Sequence, residues 1–170
     1  GFTWTCWVRG LPVNDWQPYI AKDGESFGYA VRKAGGNDLT FTLRNSSADP
    51  DDPTSATARI NDSLWHHLAA VYDPANFARR LYLDGVEVIS VFDSTLVSPP
   101  INSPLFFGAR AASGDTRFAR VIMDEIRAYD TNLPPEVILA QVGTPMISLV
   151  PGALSFNAGD PAQAVTITVP

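Results

Sequence analysis

Apolar and polar positions alternate with a period of two along most of this chain, and the 3.6-residue period of an amphipathic helix is nearly absent. In FTWTCWV, Phe2, Trp4, Cys6 and Val8 fall on one face and Thr3, Thr5 and Trp7 on the other, as a pleated strand requires. SFGYAVRK (26–33) and DLTFTLRN (38–45) are predicted as the next strands, separated by the turn-like Ala34–Asn37. A short strand at ATARI (56–60) and a longer one at WHHLAAVYD (65–73) follow. In ARRLYLDGVEVISV, Asp84-Gly85 between two β-rich runs predicts a tight hairpin, because a two-residue turn of that kind needs positive φ. PLFFGAR and RVIMDEIRAYD complete the strand set. The one predicted helix is PPEVILAQV, near residues 135–141, with Pro135 in the first turn where a missing N–H costs nothing.

The connecting segments are rich in Pro, Asp, Gly, Ser and Asn, the longest polar one being NSSADPDDPTSA. Many short strands broken by turn clusters predict an all-β fold, an antiparallel two-sheet sandwich of jelly-roll type with one short helix. After Gly143-Thr144-Pro145 the character changes. Strands are expected around Ile147–Val150, Ala153–Phe156 and Ala164–Val169, a stretch too short to bury a core alone. The expected division is a main domain over 1–142, then a linker and the start of a second β module over 143–170.

The net charge of −6 argues against a nucleic-acid partner, which needs clustered Lys and Arg. The acidic residues are mostly aspartate, Glu25, Glu87, Glu125 and Glu136 being the only glutamates. Aspartate suits turns, where its short side chain bonds nearby backbone, and it is also a good calcium ligand. Cys6 is the only cysteine, so no disulfide forms within the chain. No apolar run reaches the length of a membrane-spanning helix, and no membrane insertion is expected. The first residues lack a signal-peptide pattern and read as the middle of a strand, so the chain is expected to be an excerpt whose targeting information lies elsewhere.

His66 and His67 invite a metal or proton-transfer reading. On a strand, however, neighbours point to opposite faces: Trp65, His67, Ala69 and Val71 one way, His66, Leu68, Ala70 and Tyr72 the other. The pair therefore does not chelate one ion without a bulge, and the chain holds no third histidine for a zinc cluster. The structural reading, a histidine held by backbone or a loop carboxylate, is preferred.

The order of WHHLAAVYD, LYLDGVEV and MDEIRAYDTNLPPEVI, after GFTWTCWVRG, IAKDGESFGYAVRK and LTFTL and around LFFGAR, resembles the laminin G-like family of concanavalin A-like jelly rolls over residues 1–142. The tail LSFNAGDPAQAVTITV resembles the opening strands of immunoglobulin-like bacterial repeats. The first resemblance implies a pair of antiparallel sheets in an exported, multidomain protein, acting in glycan or protein binding, in adhesion, or as a spacer beside catalytic domains. A strand that usually precedes the FTWTCWV equivalent is missing, which leaves an open sheet edge or one completed by a neighbour, with strand exchange or self-assembly as the consequence.

Catalysis is not expected. The wider fold includes glycosidases, which need two carboxylates about 5–10 Å apart. Asp124 and Glu125 are adjacent and would point oppositely, while Asp124 and Asp130 would lie roughly 20 Å apart along a strand. No nucleophile elbow or phosphate-cradling glycine loop is present. In laminin G-like relatives the aspartate matching Asp124 contributes to a calcium site together with an acidic residue from the missing N-terminal turn. The resemblance therefore carries a metal role to Asp124 alone, against a plain reading in which it bonds backbone. The acidic loop Asp49, Asp51 and Asp52 reads as solvated.

Sugar sites on β-sandwiches pair aromatic rings with amides and carboxylates. PVNDWQPY supplies Asn14, Asp15, Trp16, Gln17 and Tyr19 in a Pro-flanked loop, and RAASGDTRF supplies Asp115 and Arg117. The competing reading folds Trp16 back over the sandwich end. The expected ligand site is Asn14, Asp15, Trp16, Tyr19, Asp115 and Arg117, with Asp124 as the metal candidate. The expected function is a non-catalytic extracellular or cell-surface recognition module for a glycan or protein, the alternative being a structural spacer or assembly unit. Asn45 and Asn61 begin N-glycosylation patterns that matter only in a eukaryotic secretory host.

Overall fold

The structure is a computed structural model and describes residues 1–10, 16–23, 28–44, 54–55, 60, 62–92, 104–110, 117–143, 148–150 and 166–168. The strands are β1 (Phe2–Arg9), β2 (Pro18–Asp23), β3 (Gly28–Lys33), β4 (Leu39–Arg44), β5 (Thr54–Ser55), β6 (Trp65–Asp73), β7 (Ala78–Leu83), β8 (Val86–Phe92), β9 (Phe106–Phe107), β10 (Ile122–Tyr129), β11 (Ser148–Val150) and β12 (Thr166–Thr168). The single α-helix among the described residues is α1 (Pro135–Val142). Two five-stranded sheets form, sheet A in the order β10-β1-β6-β7-β8 and sheet B in the order β5-β4-β3-β2-β9. All pairings are antiparallel, which makes the molecule a two-sheet β-sandwich with one short helix. β11 and β12 pair only with each other. The strand expected at Ala153–Phe156 lies outside the described residues.

The period-two pattern becomes a layered core. Phe2, Trp4, Cys6 and Val8 of β1 face inward with Leu68, Ala70 and Tyr72 of β6, against Tyr29 and Val31 of β3 and Phe41 and Leu43 of β4. Phe2 stacks on Trp4 at 4.3 Å between ring centroids, and Tyr29 meets Phe2 edge-on at 4.8 Å, so aromatic contacts tie the sheets together. Burial pushes the Cys6 thiol up to about 12, which makes it an inert core residue. Across the interlayer, Arg79 of β7 donates to the Leu43 carbonyl at 3.3 Å.

The outer face of sheet A is covered by α1. Ile138 is fully buried against Ala69, Val71 and Tyr82. The approach to the helix is pinned by Thr3, whose hydroxyl donates to the Thr131 carbonyl and accepts from the Leu133 N–H, both at 2.8 Å. The outer face of sheet B is buried too: Ala21, Ala30, Arg32, Thr40 and Thr42 are at most 4% exposed. Strand β1 lies inside sheet A, between β10 and β6; the outermost described strands are β10 and β8 in sheet A and β5 and β9 in sheet B.

β2 departs from the sequence expectation, which read Trp16 to Tyr19 as loop. Its register against β3 slips between Pro18 and Ile20, so a bulge inserts Tyr19. Tyr19 and Ile20 both join the core as a result. That breaks the alternation by which a strand is recognised.

The two histidines separate as the pleat demands. His66 sits on the inner side at the start of β6, between two aspartates: Nδ1 lies 2.7 Å from Asp84 Oδ2 and Nε2 lies 2.9 Å from Asp62 Oδ1. Asp84 also accepts the His67 N–H at 2.9 Å. It occupies the β7–β8 turn with φ 52, followed by Gly85 with φ 78, the paired positive values of a two-residue hairpin. His67 faces outward, 1% exposed, edge-on to Trp7 at 5.5 Å. The Gln141 side chain approaches it without a hydrogen bond of ordinary geometry.

Burial alone would lower the His66 pKa, but its bonds to Asp84 and Asp62 outweigh that and raise it. Burial lowers His67. The His66 clamp therefore adds stability that is complete below about pH 6.5 and is lost as pH rises through the folded value. His67 acts oppositely: its resistance to protonation costs stability as pH falls from about 6.5 toward its folded value. NMR titration is expected to place the His66 midpoint above 6.5 and the His67 midpoint below it. His66→Ala is expected to flatten the fall in stability above pH 6.5, measured by urea unfolding. At the same turn, a Cβ on Gly85 would stand 2.6 Å from Leu139 Cδ1. Gly85→Val adds strain at positive φ to that clash and is expected to cost about 2–3 kcal/mol in the same assay.

Candidate functional site

A surface aromatic on a β-sandwich needs a backbone that holds it off the core. Trp16 meets that condition. Its N–H donates to the Lys33 carbonyl at 2.7 Å, and the Lys33 N–H donates to the Gln17 carbonyl at 3.1 Å. Two residues thus oppose one at the mouth of the β2–β3 pair, a bulge that re-aims the side chain. Trp16 has φ 65, a conformation a bulky residue rarely adopts, and its side chain is 41% exposed. Gln17 is buried directly behind it.

The turn from β3 to β4 lies next to Lys33 and shapes the same rim. Ala34 N–H donates to the Asp38 carbonyl at 2.7 Å, and Gly35–Asn37 forms a single 3-10 turn. Gly35 and Gly36 are exposed, and no atom lies within 4 Å of where a Gly35 Cβ would be.

The register of β9 brings a second segment to this edge. Phe107 pairs with Ile20, and the Gly108 N–H donates to the Tyr19 carbonyl at 2.8 Å. Continuing antiparallel, Ala109 and Arg110 run toward Pro18 and Gln17. Ala109 in turn bridges Phe118, and the Ala119 N–H donates to the Gly108 carbonyl at 2.8 Å. The backbone of Arg110, Arg117 and the 57%-exposed Phe118 is thereby carried toward the end of sheet B where Trp16 lies. An exposed indole at such an edge can stack on the apolar face of a sugar ring.

Of the expected ligand residues, Trp16 stands exposed at this edge, and the bridge at Phe118 carries the Arg117 backbone toward it. Tyr19 does not face it: the bulge turns its side chain into the core, where it is fully buried and its phenol is pushed up by burial and by nearby Cys6. This corrects its assignment to the surface site. Asn14, Asp15 and Asp115 lie outside the described residues. Arg110 and Phe118 carry no local signal of this position: LFFGAR reads as strand, and only the pairing across β9 shows where its last residue goes.

Asp124 lies elsewhere, on β10 opposite Trp7. Its Oδ1 accepts the Glu125 N–H at 2.7 Å, Glu125 has φ 47, and the β1–β10 register slips there. Glu125 pairs with Arg127 at 2.8 Å. Among the described residues no three His, Cys, Asp or Glu gather as a metal site.

Structural neighbours share the architecture at low identity. The binding domain of Paraclostridial Mosquitocidal Protein 1 superposes with a TM-score of 0.64 at 16% identity, over 84% of this chain and 37% of that one. The Ruminococcus gnavus IT-sialidase CBM40 bound to α2,3-sialyllactose gives 0.63 at 14%, over 84% of this chain and 82% of that one. The botulinum neurotoxin serotype G binding domain gives 0.58 at 19%, over 83% and 35%. This chain thus spans about a third of either toxin chain, and these likenesses speak to fold. No protein of curated function matches the sequence. The family model of the laminin G-like type, described as the concanavalin A-like lectin/glucanases superfamily, matches residues 1–139, and with sheets A and B in place the chain belongs to that family.

Proposed function

We propose that this chain is a non-catalytic glycan-recognition module that engages its ligand at the Trp16 rim. The observation that carries the reading is the exposed indole held at φ 65 by the bulge opposite Lys33. An aromatic kept in a costly backbone conformation and out of the core is what a sugar-stacking residue requires. The R. gnavus neighbour is a carbohydrate-binding domain in complex with sialyllactose, which supports the same ligand class here. Among the described residues no helix is long and apolar enough to cross a membrane. An extracellular or surface-displayed setting, with residues 143–170 opening a separate β unit, completes the proposal.

A glycan array including lactose and α2,3-sialyllactose, followed by calorimetry on the hits, tests the reading. The parent is expected to retain at least one glycan, and Trp16→Ala to weaken it about tenfold or more. The variant is expected to stay folded while losing up to about 3 kcal/mol of unfolding free energy, since the part of Trp16 that is not exposed is packed against the protein, so binding is compared at a temperature where both proteins are fully folded. Equal binding by the variant, or no glycan retained at all, removes the proposal.

A further inference from the structure

Sheet A carries a second exposed aromatic that the rim does not use. Trp65 opens β6 on the outer face, 40% exposed. Its direct cross-strand partner is Arg9 of β1, whose other partner is Ile122 of β10, 59% exposed. One step inward lies a second row, His67, Trp7 and Asp124. Helix α1 covers the outer face farther along, with Ile138 over Ala69 and Val71.

The polar groups here are positioned rather than merely present. Arg9 Nε donates to the Ser63 carbonyl at 2.8 Å, which fixes the guanidinium, while its two terminal nitrogens carry no hydrogen bond among the described residues. Ser63 itself has φ 64. The bulge at Glu125 presents Asp124 beside this row, with one carboxylate oxygen on the Glu125 N–H and the other unbonded.

The size of the patch decides between kinds of ligand. The open surface is the row of Trp65, Arg9 and Ile122, about 10 Å across three strands, with exposed Asp124 one row in, where its row-mate His67 is covered. That is far below the roughly 800 Å² each partner contributes to a stable protein interface, but it accommodates one or two sugar rings. An indole face with a donor and an acceptor of opposite charge suits a neutral polyhydroxyl ring better than an ion. We infer that Trp65, Arg9 and Asp124 form a second saccharide subsite on the outer face of sheet A, taking a neutral pyranoside. The C–H face of the sugar rests on Trp65, Arg9 donates to ring hydroxyls, and Asp124 accepts from one. This inference stands apart from the Trp16 rim and survives its failure.

The test uses the whole chain labelled with ¹⁵N, its indole resonances assigned by single Trp→Phe variants, and titrates lactose and maltose separately to about 50 mM, above the millimolar Kd of a shallow site. The Trp65 indole signal is expected to move with one of these sugars. Trp65→Ala is expected to abolish the binding, whereas Trp16→Ala keeps it. Arg9→Met, which retains the aliphatic stem, is expected to weaken binding about fivefold or more and guards against misfolding of the tryptophan variant. A Trp65 signal that stays fixed with both sugars overturns the inference, as does sugar binding of parental strength in Arg9→Met. A Trp65 face occupied by a protein that neither sugar displaces overturns it as well.

Discussion

Phe2 and Trp4, stacked on one strand, meet Tyr29 of the opposite sheet and Tyr72 of the neighbouring strand within ring-centroid distances of 4.3–6.1 Å. This aromatic knot makes β1 the keel of the sandwich. β1 is hydrogen-bonded along both edges, to β10 and to β6, and its outer face is buried at Thr3 and Thr5. A strand enclosed on four sides has no freedom of register, because a one-residue slip would exchange the aromatic and threonine faces. The placement of β10, of the Thr3-bound path to α1 and of β6 with its histidines follows from that one alignment.

The sequence reading located most elements because most strands bury one apolar face, and alternation records that directly. It also settled the histidines: opposite faces followed from adjacency alone, and Asp84, already marked as a turn residue, is the carboxylate that holds His66. What escaped it were bulges. An inserted residue spoils the period of two, so Tyr19 looked like a loop residue although it is core. The same device at Asp124–Glu125 defeats any argument that neighbouring strand residues must point oppositely. Position along a sheet edge was equally hidden. The segment ending at Arg110 is brought alongside β2 by a pairing between residues about ninety positions apart, and no local pattern encodes such a pairing.

The tryptophans divide along physical lines. Trp4 is buried, and Trp7 is partly covered and engaged with His67. Trp16 and Trp65 are 41% and 40% exposed. A tryptophan side chain offers roughly 150–250 Å² for burial. Leaving about two-fifths of it in water forgoes on the order of 2 kcal/mol at the usual 25 cal/mol/Å². Trp16 adds the cost of its own positive φ, and Trp65 is preceded by Ser63 in the same strained region. Marginal stability makes such sums noticeable in a domain of this size.

Neither exposed ring lies beyond the reach of cover. Helix α1 already lies across sheet A, and its contact with Gly85 shows how closely it packs where it does so. Its buried contacts fall on Ala69, Val71 and Tyr82, while the row of Trp65, Arg9 and Ile122 stays partly open. At the other aromatic, the bulge at Lys33 turns Trp16 outward while the bulge at Tyr19, three residues on, turns a phenol inward. Sequence and backbone thus spend stability at two places to keep an indole in solvent with polar groups fixed beside it. A ligand that stacks on the ring and satisfies those groups recovers that free energy, whereas a core-forming role would have buried the ring outright.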